Sequence, residues 1–323
     1  MRFAFQTWFA AGAMMSLGAA PAPAQLTQAS HTKEWPQILG GASQSEMAAA
    51  LALGPQLERG RPAQWLLADR RKLARALDAL QPQRAGLVDA YVVSIALDSD
   101  PVFGREARET ARVLSRRYDA AGRTLLLARN GDAPAGSLEA LSLALARVAE
   151  LMDKKQDVLV LYVTSHGAKI GIAYHDGDEG YGILSPDRLA GILDELGIRN
   201  RLLILSACYS GVFVPLLSNH ETALFTAASS DRTSFGCRAE NDWTFFGDAL
   251  INHALRKPQP LDDAMIEARE LISDWETSNR LPSSNPQVTV GEGVEAWLRP
   301  LEARMPRTAT PRVGAPATDA LKP

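Results

Sequence analysis

Two kinds of apolar run alternate along most of this chain. Short unbroken runs at Tyr91–Leu97, Thr124–Leu127, Val158–Val163, Leu202–Leu205 and Ala223–Thr226 have the length of strands buried on both faces. Between them lie longer stretches whose apolar positions return every three or four residues, the period of a helix with one buried face. These predict helices over Gly104–Tyr118, from Ser137 to about Met152, and from Pro186 to Gly197. Ser137 and Ser185 stand where N-caps belong, because a serine oxygen accepts from the unpaired N–H groups of a first helical turn. Ile170–Tyr174 and Tyr181–Leu184 flank the polar stretch His175-Asp176-Gly177-Asp178-Glu179-Gly180 and predict a β-hairpin. Further helices are expected at Trp65–Leu80, Trp243–Leu255 and Leu261–Trp275, and a last strand at Val288–Val290. This alternation implies a three-layer α/β/α sandwich with a mostly parallel sheet of about six strands.

The two ends read differently. Arg2, the apolar and small Thr7–Ala20, and Ala22-Pro23-Ala24 have the pattern of a cleaved signal peptide over residues 1–24, with a bacterial style. A periplasmic or secreted protein starting near Gln25 is therefore expected. No later stretch is apolar for long enough to cross a bilayer, so no integral span is expected in the mature chain. Residues 25–86 form a lead-in with a short helix at Ser45–Leu53, residues 87–298 the sandwich domain, and residues 299–323, rich in Pro, Ala and Thr, a disordered tail. A net charge of -3 argues against nucleic acid as a main partner, since phosphate binding needs clustered Lys and Arg.

Two strands end in reactive side chains. The first runs through Asp157–Gly167 and delivers His166; the second, Arg201–Gly211, delivers Cys208, 42 positions later. That interval holds one hairpin, one helix and one strand, enough to lay two parallel strands side by side with matching carboxyl ends. Open α/β sheets place their chemistry at those ends. A thiolate there can attack a carbonyl, and a neighbouring imidazole can take its proton and return it to a leaving amine. The N–H groups of Gly167 and Cys208 are candidates to bind the resulting oxyanion. The only other cysteine is Cys237, so a free catalytic thiol competes with a Cys208–Cys237 disulfide that would silence it. The acidic hairpin tip offers carboxylates that suit Ca²⁺, but reads as a solvated loop at the rim of a cleft.

Thr164–Gly167 (TSHG) and Ser206–Gly211 (SACYSG), together with Phe225–Asp248 and Ser283–Gly293, resemble the signatures of the legumain-like C13 peptidases of clan CD. The resemblance spans roughly Asp89–Glu292 and implies a caspase-like fold. It implies a cysteine endopeptidase that hydrolyses peptide or protein substrates through a thioacyl-enzyme, with His166 and Cys208 as the dyad. It needs no cofactor and no metal. It places Ser206, Thr233 or Ser234, Asp248 and Arg105 at the substrate pocket. Two departures bear on a P1 preference for Asn or Asp: Ser206 stands where legumains carry Glu, and their Arg-His aligns near Phe103-Gly104, with Arg105 just beyond. A transamidase or ligase using the same dyad, and a non-catalytic envelope scaffold, are the alternatives. Oligomeric state is left open.

Overall fold

The computed structural model describes residues 30–33, 43, 45, 60–129, 131–177 and 179–321. The expected signal peptide and nearly all of the Ser45–Leu53 helix lie outside them.

Among the described residues, chain order runs α1 (Ala63–Asp78), β1 (Ala90–Ala96), α2 (Pro101–Arg117), β2 (Thr124–Leu127), α3 (Leu138–Leu151) and β3 (Val158–Thr164). It continues with β4 (Gly167–Ala168), β5 (Gly171–His175), β6 (Tyr181–Leu184), α4 (Pro186–Glu195), β7 (Arg201–Ser206) and β8 (Thr222–Thr226). Then come α5 (Leu261–Ser278), β9 (Gln287–Val290) and α6 (Val294–Ala303). The main sheet has the order β2-β1-β3-β7-β8-β9; every pairing is parallel except the last, in which β9 runs antiparallel to β8.

Alternation along β3 builds both halves of the core. Val158, Val160 and Tyr162 join one apolar cluster with side chains of α2, α5 and α6. Leu159, Leu161 and Val163 join the other, with side chains of α1, α3 and α4. A strand covered by helices on both faces has to be apolar throughout, which is why its sequence shows an unbroken run. The molecule is thus a three-layer α/β/α sandwich. Helix starts follow local chemistry. The Ser137 and Ser185 hydroxyls accept from Ala140 N–H at 3.0 Å and Arg188 N–H at 3.2 Å, and Pro101 and Pro186 occupy first turns that need no donor there.

Three expectations are corrected. The helix expected at Trp243–Leu255 begins later, with Thr244 capping a short turn at Phe245–Gly247 that opens into a π-helix over Asp248–Ala254. The hairpin forms, but its tip is solvated only in part: Glu179 is exposed, whereas His175 and Asp176 are buried, and Asp176 pairs with Arg61, with Arg129 at 2.9 Å and with Lys33 at 2.7 Å. The tail expected to be disordered from Arg299 is packed. Helix α6 continues through Ala303, and Ala317–Leu321 closes in a 3₁₀ turn. Val313 O accepts from Trp243 Nε1 at 2.8 Å, Val313 N–H donates to Asn252 Oδ1 at 3.0 Å, and Ala317 N–H donates to Asp248 Oδ2 at 2.8 Å.

Candidate active site

Strand register sets the site. Thr164 at the end of β3 is paired with Ser206 at the end of β7, and Ser165 N–H donates to Ser206 O at 3.2 Å. His166 and Cys208 each stand two residues beyond that pair, at the same carboxyl edge of the sheet. Gly167 lies tight against the turn that carries Cys208: a Cβ there would overlap the Cys208 carbonyl. Only glycine permits this approach. The turn after Cys208 is equally constrained. Tyr209 takes the left-handed conformation at φ 57°, its N–H donating to Arg232 O at 2.8 Å, and Gly211 N–H donates to Ala228 O at 2.9 Å.

Both cysteines are free thiols. The neighbouring Cys237 thiol holds the Cys208 thiol below its ordinary value against the opposing effect of burial. A backbone donor assists: Ser234 N–H lies 3.3 Å from Cys208 Sγ. The interaction with Cys208, together with burial, raises Cys237 well above its ordinary value, so Cys237 stays protonated at neutral pH. Titration of the unfolded, unreduced protein with a thiol reagent should return two thiols per chain. A count of zero would mean that the pair had closed into a disulfide.

His166 is clasped from several sides. Its carbonyl accepts from Ala173 N–H of β5 at 2.9 Å, and the preceding Ser165 hydroxyl donates to Ala173 O at 2.6 Å, so the hairpin fixes the backbone that presents the imidazole. Phe103 of α2 packs edge-on to the ring with centroids 5.0 Å apart. On another side the ring meets His31, centroids 4.6 Å apart, from the segment Ser30–Lys33 that crosses this edge of the molecule. Burial pushes the imidazole down to about 4, with Asp98 opposing. At neutral pH it is therefore unprotonated and able to accept a proton.

The expected pocket residues divide. Ser234 sits on the thiol, its N–H as above and its carbonyl 3.6 Å from Cys208 Sγ. Thr233, half-buried, precedes it in the same loop. Arg105 is turned to a neighbouring loop, donating to Ala239 O at 2.7 Å and to Asn241 O, with Asp242 at 3.2 Å. Asp248 is fully buried, and Asn252 Nδ2 and Ala317 N–H, each at 2.8 Å, use its two carboxylate oxygens; it anchors the C-terminal segment instead of facing a substrate. Ser206 is buried too, its hydroxyl donating to Glu106 at 3.0 Å.

Glu106 was not foreseen. It projects from α2 beneath the strand ends and is fully buried. It accepts from the hydroxyls of Tyr162, Thr164, Ser206 and Thr244 and from Thr244 N–H, the Thr164 and both Thr244 contacts at 2.8 Å. A carboxylate thus lies next to Ser206, the position where the resemblance led one to expect Glu. A charged residue in an amphipathic helix ordinarily reads as solvated, so its sequence carried no signal.

Comparison with known proteins adds the family. Residues 139–284, which contain both His166 and Cys208, match the model of the Peptidase C13 family. Over this region the chain is similar to the peptidase C13 family. The match supports a cysteine-type peptidase acting on protein. Among solved structures, caspase-1 from Spodoptera frugiperda is similar at 13% identity, with a TM-score of 0.42 over 65% of this chain and 93% of that one. No curated protein matches by sequence. Strands β1, β2 and β9, which lie outside the matched span, belong to the same sheet as the matched strands β3, β7 and β8. Among the described residues no helix is long and apolar enough to cross a membrane.

Proposed function

We propose that this C13-like protein is an endopeptidase in which Cys208 attacks the scissile carbonyl and His166 moves the proton. The observation that carries the reading is the paired end of β3 and β7, which brings both residues to one edge with Gly167 pressed against the Cys208 backbone. The sequence of events follows from the groups present. The Cys208 sulfur, favoured as thiolate by Cys237 and Ser234, adds to the carbonyl carbon. Its proton goes to the unprotonated His166. Negative charge collects on the former carbonyl oxygen, where the Gly167 and Cys208 N–H groups are the candidate donors. Collapse of the tetrahedral intermediate breaks the C–N bond as His166 protonates the departing amine. Water, deprotonated by His166, then hydrolyses the thioester and regenerates the thiol.

The test is labelling by an electrophilic peptide probe together with cleavage of a peptide library. The wild-type chain should carry the probe on Cys208 and cut the library. Cys208→Ala should lose both. Undiminished cleavage by Cys208→Ala would refute the assignment, as would a probe adduct mapped to Cys237 alone.

A further inference from the structure

Three of the five histidines in the chain converge on one small volume at this edge of the sheet. His31 lies between the other two, 4.6 Å from His166 and 5.8 Å from His175 by ring centroid. Two carboxylates complete the group. Asp100 Oδ2 is 2.8 Å from His31 Nδ1, and Asp98 Oδ2 is 3.1 Å from His175 Nδ1. The peptidase reading uses only His166 from this set. The rest is expensive to keep: Asp98, Asp100 and His175 are all buried, which a fold does not tolerate without partners.

The arrangement has the composition of a transition-metal centre. One donor atom each from His31, Asp100 and His166 lies within 4.8 Å of the others, and the same holds for His31, Asp98 and His175. Around a zinc ion with bonds of about 2.0–2.1 Å, tetrahedral ligand atoms sit roughly 3.3–3.5 Å apart. Side-chain rotations that move donor atoms by at most about 1.5 Å would bring either set to that spacing around an ion. Imidazole with carboxylate favours zinc, copper or nickel over calcium or magnesium, which want all-oxygen shells. The Asp98 carboxylate bonded to His175 Nδ1 also fixes the ring and leaves Nε2 as the nitrogen for an ion, the usual support of a metal-bound histidine.

We infer that His31, His166 and Asp100 form a binding site for a divalent transition-metal ion, with His175, whose donor lies within 4.8 Å of a His31 nitrogen, as a further ligand. The consequence for catalysis rests on the peptidase reading above; the binding itself does not. An imidazole that donates its lone pair to a metal cannot accept the Cys208 proton, so the loaded protein is held inactive. The ion also fastens Ser30–Lys33 across the site. That segment is already held by Thr32 N–H and hydroxyl, each 2.7 Å from Asp100 Oδ1, by Lys33 on Asp176, and by Ser30 on Glu240. Metal thus locks a strap that the protein chain has laid down, and a chelator unlocks it.

Zinc binding to the full chain, measured by competition with a chromogenic chelator, is the test, with thermal melting as a second readout. Wild type should bind one zinc ion per chain and melt at a higher temperature with zinc than without. His31→Ala should weaken binding at least tenfold and lose the zinc-dependent rise in melting temperature, and His175→Ala should weaken it as well. Cys208→Ala should bind zinc as wild type does. Two results would overturn the inference: full-strength binding in His31→Ala, or loss of binding in Cys208→Ala, which would place the ion on the thiolate. Cleavage assays separate the two readings. Zinc should suppress wild-type cleavage, reversibly with chelator, and suppress His31→Ala much less. Failure of Cys208→Ala to lose cleavage would sink the peptidase reading while leaving the metal data standing.

Discussion

Substituting His166 by alanine should lower kcat/KM for peptide cleavage by about 10²–10⁴-fold, the usual contribution of a positioned general base. The companion measurement is the pH profile of the wild-type enzyme. Burial holds the His166 imidazole down to about 4. A base works only when unprotonated, so activity governed by this group should persist as pH falls below 6.5 and decline only near 4. The alanine variant should lose that acid limb along with the rate. A wild-type limb near 6.5 would show an imidazole exposed to water, and a full-rate variant would show that another group takes the proton. Melting temperatures of the two proteins should agree within a few degrees, which separates chemistry from folding.

Replacing Glu106 by alanine should cost at least about 4 kcal/mol of stability. Each buried donor left without an acceptor costs about 1–3 kcal/mol, and this carboxylate serves five donors on four residues. The truncation leaves a cavity besides. Set against a total stability of about 5–15 kcal/mol, this approaches the whole margin. For a domain of this size, 1 kcal/mol corresponds to about 2–4 °C, so the melting temperature should fall by about 10 °C. Glu106→Gln keeps the shape and one acceptor oxygen but turns an NH₂ toward existing donors, so an intermediate fall is expected. An unchanged melt in the alanine variant would show that water replaces the carboxylate. The effect should also reach the site, because Thr164 and Ser206 end the two strands that carry His166 and Cys208. Gly247 has no room for a side chain here: a Cβ would strike Glu106, so the carboxylate and the turn before the π-helix are fitted to each other.

How far the chain could be read before folding depended on the reach of each interaction. Strand and helix identities follow from local periodicity, and so the main sheet, the separate β5–β6 hairpin and the capped starts of α3 and α4 stand close to where the pattern put them. Departures come where distant residues decide. The Pro-, Ala- and Thr-rich C-terminal stretch has the composition of a disordered segment, yet Trp243, Asp248 and Asn252 bond its backbone and order it. The resemblance puts Asp248 at the substrate pocket, whereas Asn252 and, from this segment, Ala317 take its two oxygens. The acidic tip of the hairpin is neutralised by Arg61, Arg129 and Lys33, which lie far apart in sequence.

By itself the sequence determined a layered α/β chain in which one strand ends in histidine and another in cysteine, because the apolar runs and the residues that terminate them are local facts. Only the tertiary structure decided what surrounds that pair: Glu106 beneath it, Cys237 beside the sulfur, and His31 with two carboxylates against the imidazole. Their positions depend on how α2, the 232–242 loop and the Ser30–Lys33 segment cross the ends of the sheet. Periodicity says which face of an element is buried; it does not say which polar group of another element will be found there.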